Sequence, residues 1–158
     1  MKVIFLDIDG VLNDAYTDAK SPNGFIGLDD NKIDCLKEIV DRTGAVIVLC
    51  STWKTDWDEN PYKQSGEGSY LVEKLKKHGL EIYSKTPSYI TSRGEAITLW
   101  LLDRNDIEGF VIIDDIIFAD YIEFDLVNHV VQTSFVNGGL LPEHVGECVN
   151  VLNGVFRF

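Results

Sequence analysis

The stretch that most constrains this chain is Val3 to Asn13, VIFLDIDGVLN. Four apolar residues run without a break into two carboxylates one residue apart, Asp7 and Asp9, and the chain then turns at Gly10. A short unbroken apolar run bounded by a turn signal reads as a strand buried on both faces, as in the middle of a parallel sheet. Acids at the end of such a strand are costly to bury unless they reach the carboxyl edge of the sheet, where a cation or hydrogen bonds offset them.

The rest of the chain repeats this pattern. Ala45 to Cys50, AVIVLC, reads as a second apolar strand stopping at Ser51-Thr52. Leu80 to Tyr83 reads as a short third strand, and Phe110 to Ile113 as a fourth, ending in Asp114-Asp115. A fifth is expected over Val127 to Gln132. Between them lie helical spacings: Leu28 to Thr43 with Ile33, Leu36, Ile39 and Val40 on one face, Ser69 to His78, Arg93 to Asp103 with a capping box at Ser92 and Glu95, and Pro142 to Leu152. Strands alternating with helices predict an α/β fold, a three-layer Rossmann-like parallel sheet with helices on both faces. Residues 13–28 are expected as a small flap, and 53–68 as a long aromatic loop near the site.

At 158 residues and 45% apolar content, one domain is the expectation over 1–158. Fourteen basic against 26 acidic residues give a formal charge of −12, which opposes nonspecific attachment to nucleic acid or anionic lipid. Cys35, Cys50 and Cys148 are widely spaced within apolar segments and read as reduced packing residues. With no leader pattern and no apolar run near the ~20 residues of a membrane span, the expected compartment is the cytoplasm. His78, His129 and His144 lack ligand spacing and read as surface or packing residues.

If the strands ending in Asp7/Asp9, Ser51/Thr52 and Asp114/Asp115 are neighbours, their carboxyl ends converge on one crevice. Crowded carboxylates repel, and a hard divalent cation such as Mg²⁺ resolves that repulsion. One carboxylate can then act as a nucleophile toward phosphorus. Hydrolysis of a phosphate monoester demands up to about 10²¹-fold acceleration, and one general acid or base supplies only about 10²–10⁴. Metal charge, in-line positioning, covalent catalysis and a cationic clamp are needed together. Arg93, at a helix start, offers bidentate phosphate binding.

Together these residues resemble the haloacid dehalogenase (HAD) superfamily of Mg²⁺-dependent phosphohydrolases. Asp7-Ile8-Asp9-Gly10-Val11-Leu12 resembles its first motif, DxDGxL. Val46 to Ser51 resembles the second, Arg93 stands where the third places a Lys or Arg, and Phe110 to Asp115 resembles the fourth. More narrowly, FLDIDGVLN, CSTWK, SRGEAITLWL and VIIDD are similar to the small HAD-like domains of RNA repair proteins, with minimal or no cap. The resemblance implies Asp7 as nucleophile and metal ligand, and Asp9 as general acid/base with its carbonyl on the metal. It implies Ser51, Thr52, Gly10 and Arg93 around the phosphoryl group, and Asp114 or Asp115 on Mg²⁺. Lys54 and Lys85 compete with Arg93 for the clamp, and Asp120 offers a second spacing for the fourth motif.

The partner expected is a phosphorylated substrate, whether nucleotide, nucleic-acid end or phosphoprotein. Trp53, Trp57, Tyr62 and Tyr70 either stack a nucleobase or close their loop. A phospho-accepting receiver module and a catalytically silent binding domain are the alternatives.

Overall fold

The computed structural model describes residues 1–156. Five parallel strands form one sheet: β1 (Lys2–Leu6), β2 (Val46–Leu49), β3 (Ile82–Lys85), β4 (Gly109–Asp114) and β5 (Val130–Gln132), in the order β3-β2-β1-β4-β5. The five helices are α1 (Asp30–Thr43), α2 (Gly66–Lys77), α3 (Arg93–Leu102), α4 (Ala119–Glu123) and α5 (Pro142–Leu152).

Alternation along the central strand explains the layering, because successive strand side chains point to opposite faces. Ile4 and Leu6 pack with Ile33, Leu36 and Ile39 of α1, Leu71 and Leu75 of α2, and Cys148 and Leu152 of α5. Val3 and Phe5 face the other way, onto Ile97 and Trp100 of α3, Tyr121 of α4 and Leu126. The Phe5 and Trp100 rings meet edge to face at 5.4 Å, the geometry their quadrupoles favour. The three-layer α/β expectation therefore holds, and both faces of β1 are buried as its unbroken apolar run implies.

Local chemistry sets the element ends. Asp29 caps α1 by accepting from the Asn31 N–H, and Gly44 closes it in the left-handed region at φ 70°. The expected capping box on α3 does not form, for the Ser92 side chain makes no capping bond. Instead Asp120 Oδ2, from α4, accepts the Glu95 N–H at 3.0 Å. The third strand lies two residues beyond its expected position and the fifth begins at Val130. Val127–His129 is a 3₁₀ turn, and α4 is a single turn with too few residues to show a helical period.

The flap, residues 13–28, is pinned at several points. The Tyr70 hydroxyl accepts the Leu28 N–H at 3.0 Å, and Glu67 Oε1 accepts the Asn23 N–H at 3.0 Å. Buried Lys32 bridges Asp29 at 3.0 Å and Asp14 at 3.4 Å.

Candidate active site

The chain leaves β1 toward β2 on one side and returns through β4 on the other, so the switch point falls between β1 and β4, where open α/β sheets bind ligands. Leu6 is in register with Ile113, and the Asp7 N–H donates to the Ile113 carbonyl at 3.0 Å. Asp7 and Asp114 thus emerge side by side from adjacent strand ends, both buried.

Carboxylate oxygens of Asp7, Asp114 and Asp115 all lie within 4.8 Å of one another. Burial and the nearby Asp114 carboxylate push Asp7 up to about 8 against the opposing pull of Arg93, and burial also pushes Asp115 up. A largely buried set of hard oxygen donors, whose repulsion Arg93 only partly offsets, suits a small divalent cation such as Mg²⁺. Asp114 is fixed by three donors: the Tyr121 hydroxyl at 2.7 Å and Arg93 Nη1 at 2.8 Å to Oδ2, and the Ile116 N–H at 3.1 Å to Oδ1.

Arg93 reaches this cluster from the first position of α3. Its Nη1 is 3.1 Å from Asp7 Oδ1 as well as 2.8 Å from Asp114, and the guanidinium lies over the Phe118 ring at 4.6 Å. Burial works against its charge, but Asp7 and the other anionic neighbours hold it firmly protonated. The two competing lysines are engaged elsewhere. Lys54 Nζ donates to Thr86 Oγ1 and the Pro87 carbonyl, and Lys85 Nζ donates to the Lys54 and Trp57 carbonyls. Asp120, the alternative for the fourth motif, caps α3 instead and lies outside the carboxylate cluster.

Asp9 stands apart from the other acids. Its carboxylate is exposed, accepting from Asn13 Nδ2 at 2.9 Å and from the indole N–H of Trp53 at 3.1 Å. The Gly10 N–H, expected at the phosphoryl group, donates to Asn13 Oδ1 at 2.9 Å, and its carbonyl accepts from Thr133 Oγ1 at 2.6 Å. Gly10 has φ 82°, and a Cβ there would lie 2.3 Å from Asp115 Oδ2, so glycine is required by both backbone and space. Ser51 is buried and accepts the Trp53 N–H at 3.2 Å, while Thr52 is exposed beside it at the start of the 3₁₀ turn Thr52–Asp56. Cys50 is buried and its thiol is pushed up by burial, which leaves it unsuited to nucleophilic attack.

The aromatic loop divides. Trp53 reaches Asp9, whereas Trp57 is buried in the core, Tyr70 tethers the flap and Tyr62 is exposed. Among the described residues no histidine joins the Asp7, Asp114 and Asp115 group. His78 pairs with Asp30 and Asp34, His129 stacks on Phe110, and His144 accepts the Leu141 N–H.

The family model described as the HAD domain in Swiss Army Knife RNA repair proteins matches residues 3–145. The chain belongs to this family. The matched span runs from the second residue of β1 through β5 and includes every acid of the cluster. Searches of curated proteins and of solved structures return no match. Membership agrees with the parallel Rossmann-like sheet and with the resemblance carried by the four motifs. The HAD domain's site includes residues that strand-end reasoning passed over: Asn13, Trp53, Tyr121 and Thr133. Only Trp53 had a signal, as an aromatic next to the Ser51-Thr52 strand end; the others act through contacts across the fold. Among the described residues no helix is long and apolar enough to cross a membrane.

Proposed function

We propose that this HAD domain is a Mg²⁺-dependent phosphomonoester hydrolase working through an aspartyl-phosphate. The observation that carries the reading is the buried meeting of Asp7, Asp114 and Asp115 with Arg93 at the β1–β4 switch point. Asp7, Asp114 and Asp115, with the Asp9 carbonyl, would hold Mg²⁺, which supplies charge neutralisation for the phosphoryl group and lowers the Asp7 pKa.

Asp7 then attacks phosphorus, forming the Oδ–P bond as the P–O bond to the leaving group breaks. Asp9 gives its proton to the departing oxygen. In the second step a water attacks phosphorus, its proton passes to Asp9, and the Oδ–P bond breaks to return the Asp7 carboxylate and inorganic phosphate. Arg93 steadies the phosphoryl charge, and Ser51 and Thr52 lie at the neighbouring strand end to orient it. Asp9 is suited to a role distinct from that of Asp7, since it is exposed and gripped by Asn13 and Trp53 rather than packed among acids.

The test is hydrolysis of p-nitrophenyl phosphate, an aryl phosphomonoester, with and without Mg²⁺ by wild type and Asp7→Asn. Turnover that requires the cation and disappears in the variant supports the assignment. Turnover that survives Asp7→Asn in a folded protein rules it out. A long-lived phosphorylated Asp7 without turnover would favour the receiver-like alternative.

A further inference from the structure

A cavity of about 480 Å³ opens beside Asp9, bounded by the flap, the 3₁₀ turn after β2, the start of α2 and the loop after β5. That volume is in the range of small-molecule sites. Phe25, Trp53 and Phe135 supply aromatic wall, and among the described residues none of these rings is paired with another ring. Phe25 is 68% exposed although it sits on a flap tied down at Asn23 and Leu28. A large apolar ring held in water at the mouth of a cavity gains by meeting a flat partner.

The polar lining has one sign. Asp9, Asp56 and Glu67 face the cavity with Thr52, and no lysine or arginine lines it. Carboxylates only accept hydrogen bonds, so the occupant must present N–H or O–H donors, and a second phosphate there is repelled. Position fixes which part of a substrate this is. A general acid protonates the departing oxygen, so the leaving group extends from the Asp9 side of the carboxylate cluster, where this cavity begins.

We infer that the cavity beside Asp9 takes the leaving group of a nucleoside monophosphate whose base carries an exocyclic amine, held between the Phe25, Trp53 and Phe135 rings with the amine toward Asp56 and Glu67. This rests on Asp7 and Asp9 serving as nucleophile and acid/base. It restricts the substrate to a single nucleotide with one phosphate, since the acidic lining disfavours the next phosphodiester of an oligonucleotide.

Two measurements test it. The first compares kcat/KM with Mg²⁺ for the 5′- and 3′-monophosphates of adenosine and uridine, a 5′-phosphorylated oligoadenylate, phosphoethanolamine and glycerol phosphate. Adenosine monophosphate should exceed glycerol phosphate by more than tenfold and uridine monophosphate by about fivefold. Phe25→Ala should reduce the adenosine-to-glycerol ratio by about fivefold or more, the lower end of what one base stack contributes. Glu67→Gln should erode the preference for adenosine over uridine. Equal or better turnover of the oligonucleotide or of phosphoethanolamine, or a ratio indifferent to Phe25→Ala, overturns the inference. The second measurement titrates adenosine, which has no phosphate, into wild type and Phe25→Ala by calorimetry. Binding weakened at least fivefold by the substitution supports the slot even if no phosphate ester is hydrolysed, an outcome that would defeat the phosphatase assignment alone. No adenosine binding at millimolar concentration overturns the slot whatever the protein hydrolyses.

Discussion

The indole N–H of Trp53 donates to Asp9 Oδ2 at 3.1 Å, across 44 positions of sequence. Asn13 holds the other oxygen of the same carboxylate at 2.9 Å. The proposed acid/base is thereby oriented by two donors, one from the turn after β1 and one from the turn after β2. A charge-assisted bond of this kind contributes about 1.5–3 kcal/mol. Trp53→Phe keeps most of the buried ring but deletes the donor, and should lower kcat by roughly tenfold. Steady-state kinetics at saturating phosphomonoester measures the change, and an unchanged kcat would mean that this bond does not govern Asp9.

Gly10→Ala tests how tightly the turn after β1 is packed against the cluster. The new Cβ would stand 2.3 Å from Asp115 Oδ2 on a backbone at φ 82°. Left-handed backbone costs a residue with a Cβ roughly 1–2 kcal/mol, and the carboxylate must also move. Mg²⁺ affinity, read by calorimetry, should fall by at least tenfold while circular dichroism stays close to wild type.

Asp120 bears on Arg93, the proposed phosphate clamp, through a helix end. Its carboxylate takes the Glu95 N–H in the first turn of α3, the turn that begins with Arg93. Asp120→Ala should cost about 1 kcal/mol of stability, the usual value of a lost N-cap. It should also weaken phosphate binding, since Arg93 loses a fixed base. Asp120→Asn, which keeps an acceptor oxygen, should restore most of both in urea unfolding and in KM.

The flap anchor gives an acid-side dependence. Burial disfavours the Asp14 charge, but the Tyr16 N–H, Lys32 and the Thr17 hydroxyl together hold it below the ordinary carboxylate value of 3.8. A carboxylate with a lowered folded pKa adds stability that is complete above the unfolded pKa and is lost as pH falls through the folded one. Urea unfolding should therefore show wild type losing more stability than Asp14→Asn between about pH 5 and pH 2. At neutral pH the variant should be the weaker, with faster amide exchange in residues 13–28.

Much of this architecture was legible because local signals and tertiary demands coincide. The apolar runs of β1, β2 and β4 mark strands buried on both faces, and an acid ending a buried strand needs a reason to be there. The helical spacing from Leu28 to Thr43 placed α1 to within two residues, and the structure ends it with the Asp29 cap and the left-handed Gly44. The capping box at Ser92 and Glu95 was a local signal overridden from outside, since Asp120 supplies the acceptor from α4. Lys54, Lys85 and Arg93 are equivalent as isolated cations. Only the fold shows that the lysines bind carbonyl and hydroxyl oxygens while Arg93 meets the acids. Phe25 was invisible as a wall of the cavity, because nothing in a Pro-Asn-Gly turn says which way the next ring faces.

The flap's ties to Tyr70 and Glu67 bear on how fast the domain turns over. Where a mobile lid covers a site, its opening often limits product release. Here the covering segment is bonded to α2 in the resting fold, and the walls that meet the leaving group need little rearrangement to receive it. On the proposed phosphatase reading the slow step falls to bond making and breaking at phosphorus, and burst kinetics should be absent unless breakdown of the proposed phosphorylated Asp7 is itself the slow half of that chemistry.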